Sequence, residues 1–299
     1  MQRIIVMTGG TSGLGRVAAN RFVEEGMSVF AAVRNTPLKG TQGIVANLTR
    51  LADVRALAQE VTIRLEGCFI DALVLNAGGY GNGRTPEGYD GTFVLNYLSH
   101  FLLISLLWER IAENGCIVLT TSGTHDPAEQ SLAPAPRHAN AEWLARPELD
   151  PERDPSPRTA AARAYAAAKL CVVLHARALA SREEIRRRGI QVLAYDPGPT
   201  PGTGLARFQP APVRVLWEQF PGVVRWLLRA KANTVEDAGN TLARLALREI
   251  PLPDGAIYAA LRRGRLTSPS LSVYARRDDL MEALERDSAT LIAPTTILS

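Results

Sequence analysis

Cysteine is scarce in this sequence. Cys68, Cys116 and Cys171 are odd in number and far apart, which excludes a disulfide framework and offers no metal-ligand spacing. The expectation is a reducing, cytoplasmic setting and no metal centre. Lysine is scarcer still: of 34 basic residues, only Lys39, Lys169 and Lys231 are lysine. The arginine bias is compositional, and a formal net charge of +4 over 299 residues does not mark a nucleic-acid binder. Arg186-Arg187-Arg188 reads as a solvated helix end, where cations complement the dipole. No apolar run reaches the roughly 18 uninterrupted residues of a membrane span. The first apolar stretch, from Ile4, enters a glycine-rich turn and not a cleavage site, so no leader is expected. Apolar side chain itself is plentiful, at 46%, enough for a large core.

Strands and helices alternate along the chain. Strands are expected at residues 3–7, 28–33, 43–48, 70–75, 116–120 and 190–195. Helices are expected at 16–25, from an N-cap at Thr49 to about Leu65, and over 91–112. This order predicts parallel βαβ units, hence an α/β fold with a Rossmann-type doubly wound parallel sheet, as a single domain over residues 1–299. Residues 125–158, rich in proline, break the rhythm as an insertion too long for an ordinary loop, and read as a wall or lid. Residues 199–231 read as a helical substrate lid carrying Phe208, Trp217, Phe220 and Trp226. Its basic amphipathic part, 213–230, has a second reading as a helix lying on a membrane surface. A last helix is expected at about 277–290.

Three patterns carry chemistry. Thr8-Gly9-Gly10-Thr11-Ser12-Gly13-Leu14-Gly15 follows a strand and opens a helix. Glycines there let the backbone approach a pyrophosphate, and the helix N-terminus offers free N–H groups to it. The second strand ends in Val33-Arg34-Asn35. An acid at that place would bind the free ribose hydroxyls of NAD; Arg34 instead suits the 2′-phosphate of NADP(H), or is simply a surface arginine. Tyr165 and Lys169 stand four apart on a helix, so phenol and ammonium share a face. A nearby cation favours the phenolate, which brings a tyrosine into acid–base range.

Together with Leu75-Asn76-Ala77-Gly78, Ser122 and Pro197-Gly198, these patterns resemble the short-chain dehydrogenase/reductase family along residues 3 to 260. Phe93–Phe101 and Ala164–Cys171 are most similar to its retinol dehydrogenase and protochlorophyllide reductase branch, as is Pro197–Leu205. The resemblance implies that Tyr165 is the general acid/base, and that Lys169 holds the nicotinamide ribose and lowers the tyrosine pKa. Ser122 would hold the substrate oxygen and Asn96 would anchor a relay water. Gly9, Thr11, Ser12, Gly13, Leu14, Gly15, Arg34, Asn47, Leu48, Asn76, Ala77, Gly78, Pro197, Gly198 and Thr200 would line the cofactor. Asn47 stands where the family has aspartate near the adenine, and its amide oxygen can accept the adenine amine. Pro199 stands where protochlorophyllide reductases carry a cysteine. His125 either faces substrate or is structural. The expected activity is NADPH-dependent interconversion of a carbonyl and an alcohol on a bulky apolar small molecule. Reduction of a conjugated C=C bond and a non-catalytic NADP(H)-binding sensor are the alternatives. The expected partner is a small-molecule substrate; relatives commonly form dimers or tetramers, and the sequence leaves monomer and homo-oligomer both open; no nucleic acid is expected.

Overall fold

The computed structural model describes residues 2–129, 131, 133–203, 211–228 and 232–293. Eight strands form one sheet: β1 Ile4–Thr8, β2 Ser28–Val33, β3 Gln42–Val45, β4 Ile70–Leu75, β5 Ile111–Thr120, β6 Gln191–Asp196, β7 Tyr258–Arg262 and β8 Arg265–Thr267. Their order is β3-β2-β1-β4-β5-β6-β7-β8, parallel except for the terminal β7–β8 pair. The chain moves outward from β1 to β3, then returns to the other side of β1 at β4. That reversal opens a crevice beyond the carboxyl ends of β1 and β4, where doubly wound sheets bind ligands.

The central strands are buried on both faces, so they are apolar without alternation. In β4, Ala72 and Val74 face the helices Gly13–Glu24 and Val235–Ala246, while Leu73 and Leu75 face Leu51–Arg64, Pro157–Ser181 and the helix opening at Gly91. Full burial of an aliphatic side chain such as Leu73 contributes about 1.5–3 kcal/mol. The segment Gly91–Arg110 is, among the described residues, the one helix long and apolar enough to cross a membrane. Most of it is buried inside the protein, as a core helix of this fold.

Several boundaries differ from expectation for local reasons. Helix Gly13–Glu24 starts inside the glycine turn. Thr49 is no cap, because its hydroxyl turns back to Asn47 Oδ1 at 2.9 Å; that turn also ends β3 early. The helix from Gly91 gives way to a short turn, and β5 begins at Ile111. β7 and β8 lie beyond the strands expected; Tyr258-Ala259-Ala260-Leu261-Arg262 has few strong strand formers. Arg188, expected in solvent, is buried, bonded to the Ile111 carbonyl and set over Trp108.

The proline-rich insertion carries a short helix, Ala141–Ala145, capped by Asn140 Oδ1 on the Trp143 N–H. Arg137 pairs with Asp150 and Asp154 within it, Arg163 of helix Pro157–Ser181 pairs with Asp154, and its residues help line a separate cavity of about 290 Å3. Residues 211–228 form two helices, Ala211–Gln219 and Pro221–Leu227. Phe208 and Lys231 lie outside the described residues. The last helix runs Asp278–Ile292.

Candidate active site

One cleft of about 610 Å3 opens where β1, β2, β4, β5 and β6 end, and Asn96 is the only sequence-predicted site residue that does not line it. Its floor is the glycine turn. Gly9 (φ +68°) and Gly13 (φ +54°) occupy the left-handed region that side chains avoid. A Cβ on Gly15 would fall 2.0 Å from the Gly9 carbonyl oxygen, and one on Gly9 would fall 2.8 Å from the Ala77 nitrogen. Gly9 and Gly15 therefore have no room for a side chain, and the turn presents bare backbone to the cleft. Helix Gly13–Glu24 begins here with no side-chain cap and no acid in its first turn, so its N–H groups remain available to an anion. These features fit a dinucleotide: the glycine turn and Thr11 to Gly15 would hold its pyrophosphate.

The turn is braced by Thr8 and Asn76, and by His100, which the sequence alone does not single out. The Thr8 hydroxyl accepts from the Asn76 and Ala77 N–H groups at 3.1 and 3.0 Å. It lies 3.1 Å from Nε2 of buried His100. Asn76 does not simply line the cleft: its Nδ2 donates to the Gly9 carbonyl (3.0 Å), and its Oδ1 accepts from Thr120 (3.2 Å). One amide thus ties the ends of β1, β4 and β5. Asn47 lines the cleft, but its Oδ1 already accepts the Thr49 N–H and hydroxyl. With both lone pairs engaged, it is a poor acceptor for an adenine amine. Arg34 is exposed in the cleft at the end of β2, in no ion pair among the described residues.

The chemical end is built on helix Pro157–Ser181, which starts with Ser156 as cap and Pro157 in the first turn. Tyr165 and Lys169 stand one turn apart on it, with Lys169 Nζ 5.6 Å from the Tyr165 ring centroid. Nζ donates to the Thr120 carbonyl at 2.9 Å. Burial lowers Lys169 to about 8 against a partly offsetting pull from Asp196. Ser122 hydrogen-bonds the Tyr165 phenol. The resemblance implied a lowered tyrosine pKa, yet in this cleft it is raised. Burial is the largest cause, Tyr80 and Asp196 add to it, and the Ser122 bond only partly offsets it.

Asn96 is buried on a π-type turn, Val94–Leu98, within the core helix. Such turns shift backbone groups out of the regular ladder and recur at functional sites. Its Nδ2 donates to the Gly79 and Thr92 carbonyls, and its Oδ1 accepts the Gly79 N–H. A Cβ at Gly78 would meet Asn96 Oδ1 at 2.8 Å and Lys169 Nζ at 3.0 Å, so glycine at 78 lets both groups approach one point. Asn96 therefore reaches the site from behind, through the Gly78–Gly79 backbone.

Three more residues complete the site. Tyr80 stacks on Tyr165, with ring centroids 5.3 Å apart and planes at 26°. Asp196, buried at the end of β6, accepts from Arg262 (2.7 Å), Tyr258 (3.1 Å) and the Gly198 N–H (2.9 Å). Asn233 donates to the Pro197 and Leu261 carbonyls, both at 2.8 Å, and so fixes the Pro197-Gly198 turn. The Asn76-Ala77-Gly78 run signals Tyr80 by adjacency; Asp196 and Asn233 take their side-chain roles from distant partners, Arg262 and Tyr258 for the first, Pro197 and Leu261 for the second. His125 is buried: its Nδ1 donates to the Ser122 carbonyl (2.7 Å), and its ring packs edge-on against Tyr258.

The model of the short chain dehydrogenase family matches residues 3–133. A short-chain dehydrogenase, iccH, of Talaromyces variabilis is 31% identical over 53% of this chain and 53% of its own. The chain thus spans about half the length of that curated relative. Another short-chain dehydrogenase, chry4 of Gibberella zeae, is 32% identical over 67% of this chain and 72% of its own. Polyprenol dehydrogenase of Danio rerio is 28% identical over 97% and 86%. Among solved structures, an uncharacterized protein from Mycobacterium paratuberculosis has the same fold, with a TM-score of 0.66 and 23% identity over 97% of this chain and 93% of that one. So does 3-ketoacyl-(acyl-carrier-protein) reductase from Brucella melitensis in complex with NADH, with a TM-score of 0.59 and 20% identity over 88% and 98%. By sequence and by fold, the chain belongs to the short-chain dehydrogenase family.

Proposed function

We propose that this protein is an NADPH-dependent reductase that converts the carbonyl of a bulky apolar small molecule to an alcohol, in the reducing setting that suits its three free cysteines. The observation that carries the reading is the convergence of Tyr165, Ser122 and Lys169 at the open end of β5 in a cleft whose other end is a bare glycine turn. Bound nicotinamide supplies hydride to the carbonyl carbon. Ser122 orients the carbonyl oxygen, and the Tyr165 hydroxyl donates the proton that completes the alcohol. In this reading Lys169 supplies positive charge beside the phenolate left behind, and the same ammonium would hold the nicotinamide ribose. Tyr80, stacked on Tyr165, forms an aromatic wall beside the reacting carbonyl.

NADPH is favoured by the exposed guanidinium of Arg34 where an NAD enzyme has an acid. The apolar substrate class is supported by the aromatic wall and by similarity to a polyprenol dehydrogenase. The experiment is a steady-state comparison of bulky polycyclic and short polar carbonyls with both cofactors. The proposal expects higher kcat/KM for bulky carbonyls with NADPH. Tight NADPH binding without turnover of any carbonyl overturns it in favour of a cofactor-binding sensor.

A further inference from the structure

The helices Ala211–Gln219 and Pro221–Leu227 carry more apolar surface than one inward face requires. Val224 is buried and Trp217 half-buried, with its indole Nε1 shut off from solvent. These side chains pack the pair onto the protein, and the Trp217 carbonyl accepts the Gly202 N–H at 2.9 Å. A second set points outward. Val213, Leu216 and Phe220 are spaced as one face of a helix, and Val223, Trp226 and Leu227 as another; all are 37–65% exposed. Of thirteen exposed large hydrophobic residues among the described ones, seven fall within 213–227, so this is a patch and not scatter. None of the seven is among the residues that line the catalytic cleft.

Charge singles out the same stretch. Between Pro199 and Lys231 the sequence holds five basic residues, Arg207, Arg214, Arg225, Arg229 and Lys231, and one acid, Glu218. The net charge of this segment equals the +4 of the whole chain, so the remainder is neutral by count. Large apolar side chains interleaved with cations, nearly without acids, complement the headgroup zone of an anionic bilayer, where aliphatic and aromatic groups enter the acyl boundary and arginines meet phosphates.

We propose that the 213–227 face docks on an anionic membrane surface, laying the two helices in the interface. The segment joins the Pro197–Thr203 wall of the cleft, so docking sets the active-site mouth beside the lipid. If the proposed substrate class holds, an apolar carbonyl dissolved in the bilayer then reaches the cleft without crossing water; the docking itself does not depend on that class.

The test is flotation of the full chain with phosphatidylcholine vesicles and with vesicles of phosphatidylcholine and phosphatidylglycerol in equal parts, without substrate. Binding to the anionic vesicles is expected to be tighter by roughly tenfold or more and to weaken with salt. Trp226→Glu with Leu227→Glu should abolish it while cofactor affinity stays unchanged. Equal binding to both vesicles, no binding to either, or a double variant that floats like the parent overturns the proposal. So does concentration-dependent self-association abolished by the same variant, which makes the face a contact between copies. Because no turnover is measured, a protein that floats as expected yet reduces only small polar carbonyls refutes the substrate class and leaves the docking standing.

Discussion

His100 Nε2 accepts the hydroxyl proton of Thr8 across 3.1 Å. The direction follows from the other bonds, since Thr8 Oγ1 already accepts two backbone N–H groups and can only donate to the ring. The other ring edge is hydrogen-bonded to the Asn96 backbone, and burial lowers the ring from 6.5 to about 3, so it stays neutral. A single imidazole thus connects the start of the glycine turn to the π turn.

His100→Leu should leave a buried hydroxyl without its acceptor, at a cost of about 1–3 kcal/mol, and should loosen cofactor binding. His100→Gln, which restores an acceptor, should recover part of both. Thermal unfolding and cofactor titration check this. There is a pH signature as well. As pH falls below 6.5, the unfolded chain protonates His100 while the folded chain resists down to about 3, so stability falls through that window. His100→Leu should lose less stability over the first part of that fall. A leucine variant with unchanged affinity and unchanged pH dependence contradicts the bracing role.

Lys169 gives a second pH prediction. Its ammonium is lowered to about 8 by burial, and a lysine that loses its proton no longer supports the phenolate. For the free enzyme, kcat/KM for reduction should be level at neutral pH and fall as pH rises through about 8. Asp196 opposes this shift, so Asp196→Asn should move the fall to lower pH. A pH–rate profile of both proteins decides; a fall at the same pH in each contradicts the coupling.

Arg34 sets the cofactor prediction. A charge-assisted contact to a 2′-phosphate is worth roughly 1.5–3 kcal/mol, or about ten- to a hundredfold in affinity. NADPH should bind better than NADH by about that ratio, and Arg34→Asp should narrow or invert it. Fluorescence titration of both cofactors checks it; equal affinities in the unmodified protein contradict the assignment.

The sequence discloses what is local. The strand–glycine–helix unit, the Tyr165–Lys169 spacing and the doubly wound order depend on neighbours and on period, and each has its place in the structure. The bracing groups are a different matter. His100 meets Thr8 across 92 residues, and Asp196 meets Arg262 across 66. A histidine in an apolar helix and an aspartate at a strand end have bland readings until the topology brings their partners in. The same holds for the tyrosine pKa. Spacing showed the cation one turn away, but the opposing effect of burial belongs to the closed core. Asn47 lines the cleft as expected, but its own neighbour Thr49 donates to the oxygen that would meet the adenine.

The central claim is that Tyr165 delivers the proton to the substrate oxygen. Tyr165→Phe keeps the ring, and so the stacking with Tyr80, but removes the hydroxyl that Ser122 engages. Single-turnover reduction of a bulky ketone, measured beside NADPH affinity on the same sample, is the most direct test. Turnover should fall by roughly two to four orders of magnitude, the size of a general-acid contribution, while NADPH affinity stays near that of the parent. Near-full turnover by the phenylalanine variant would contradict the account.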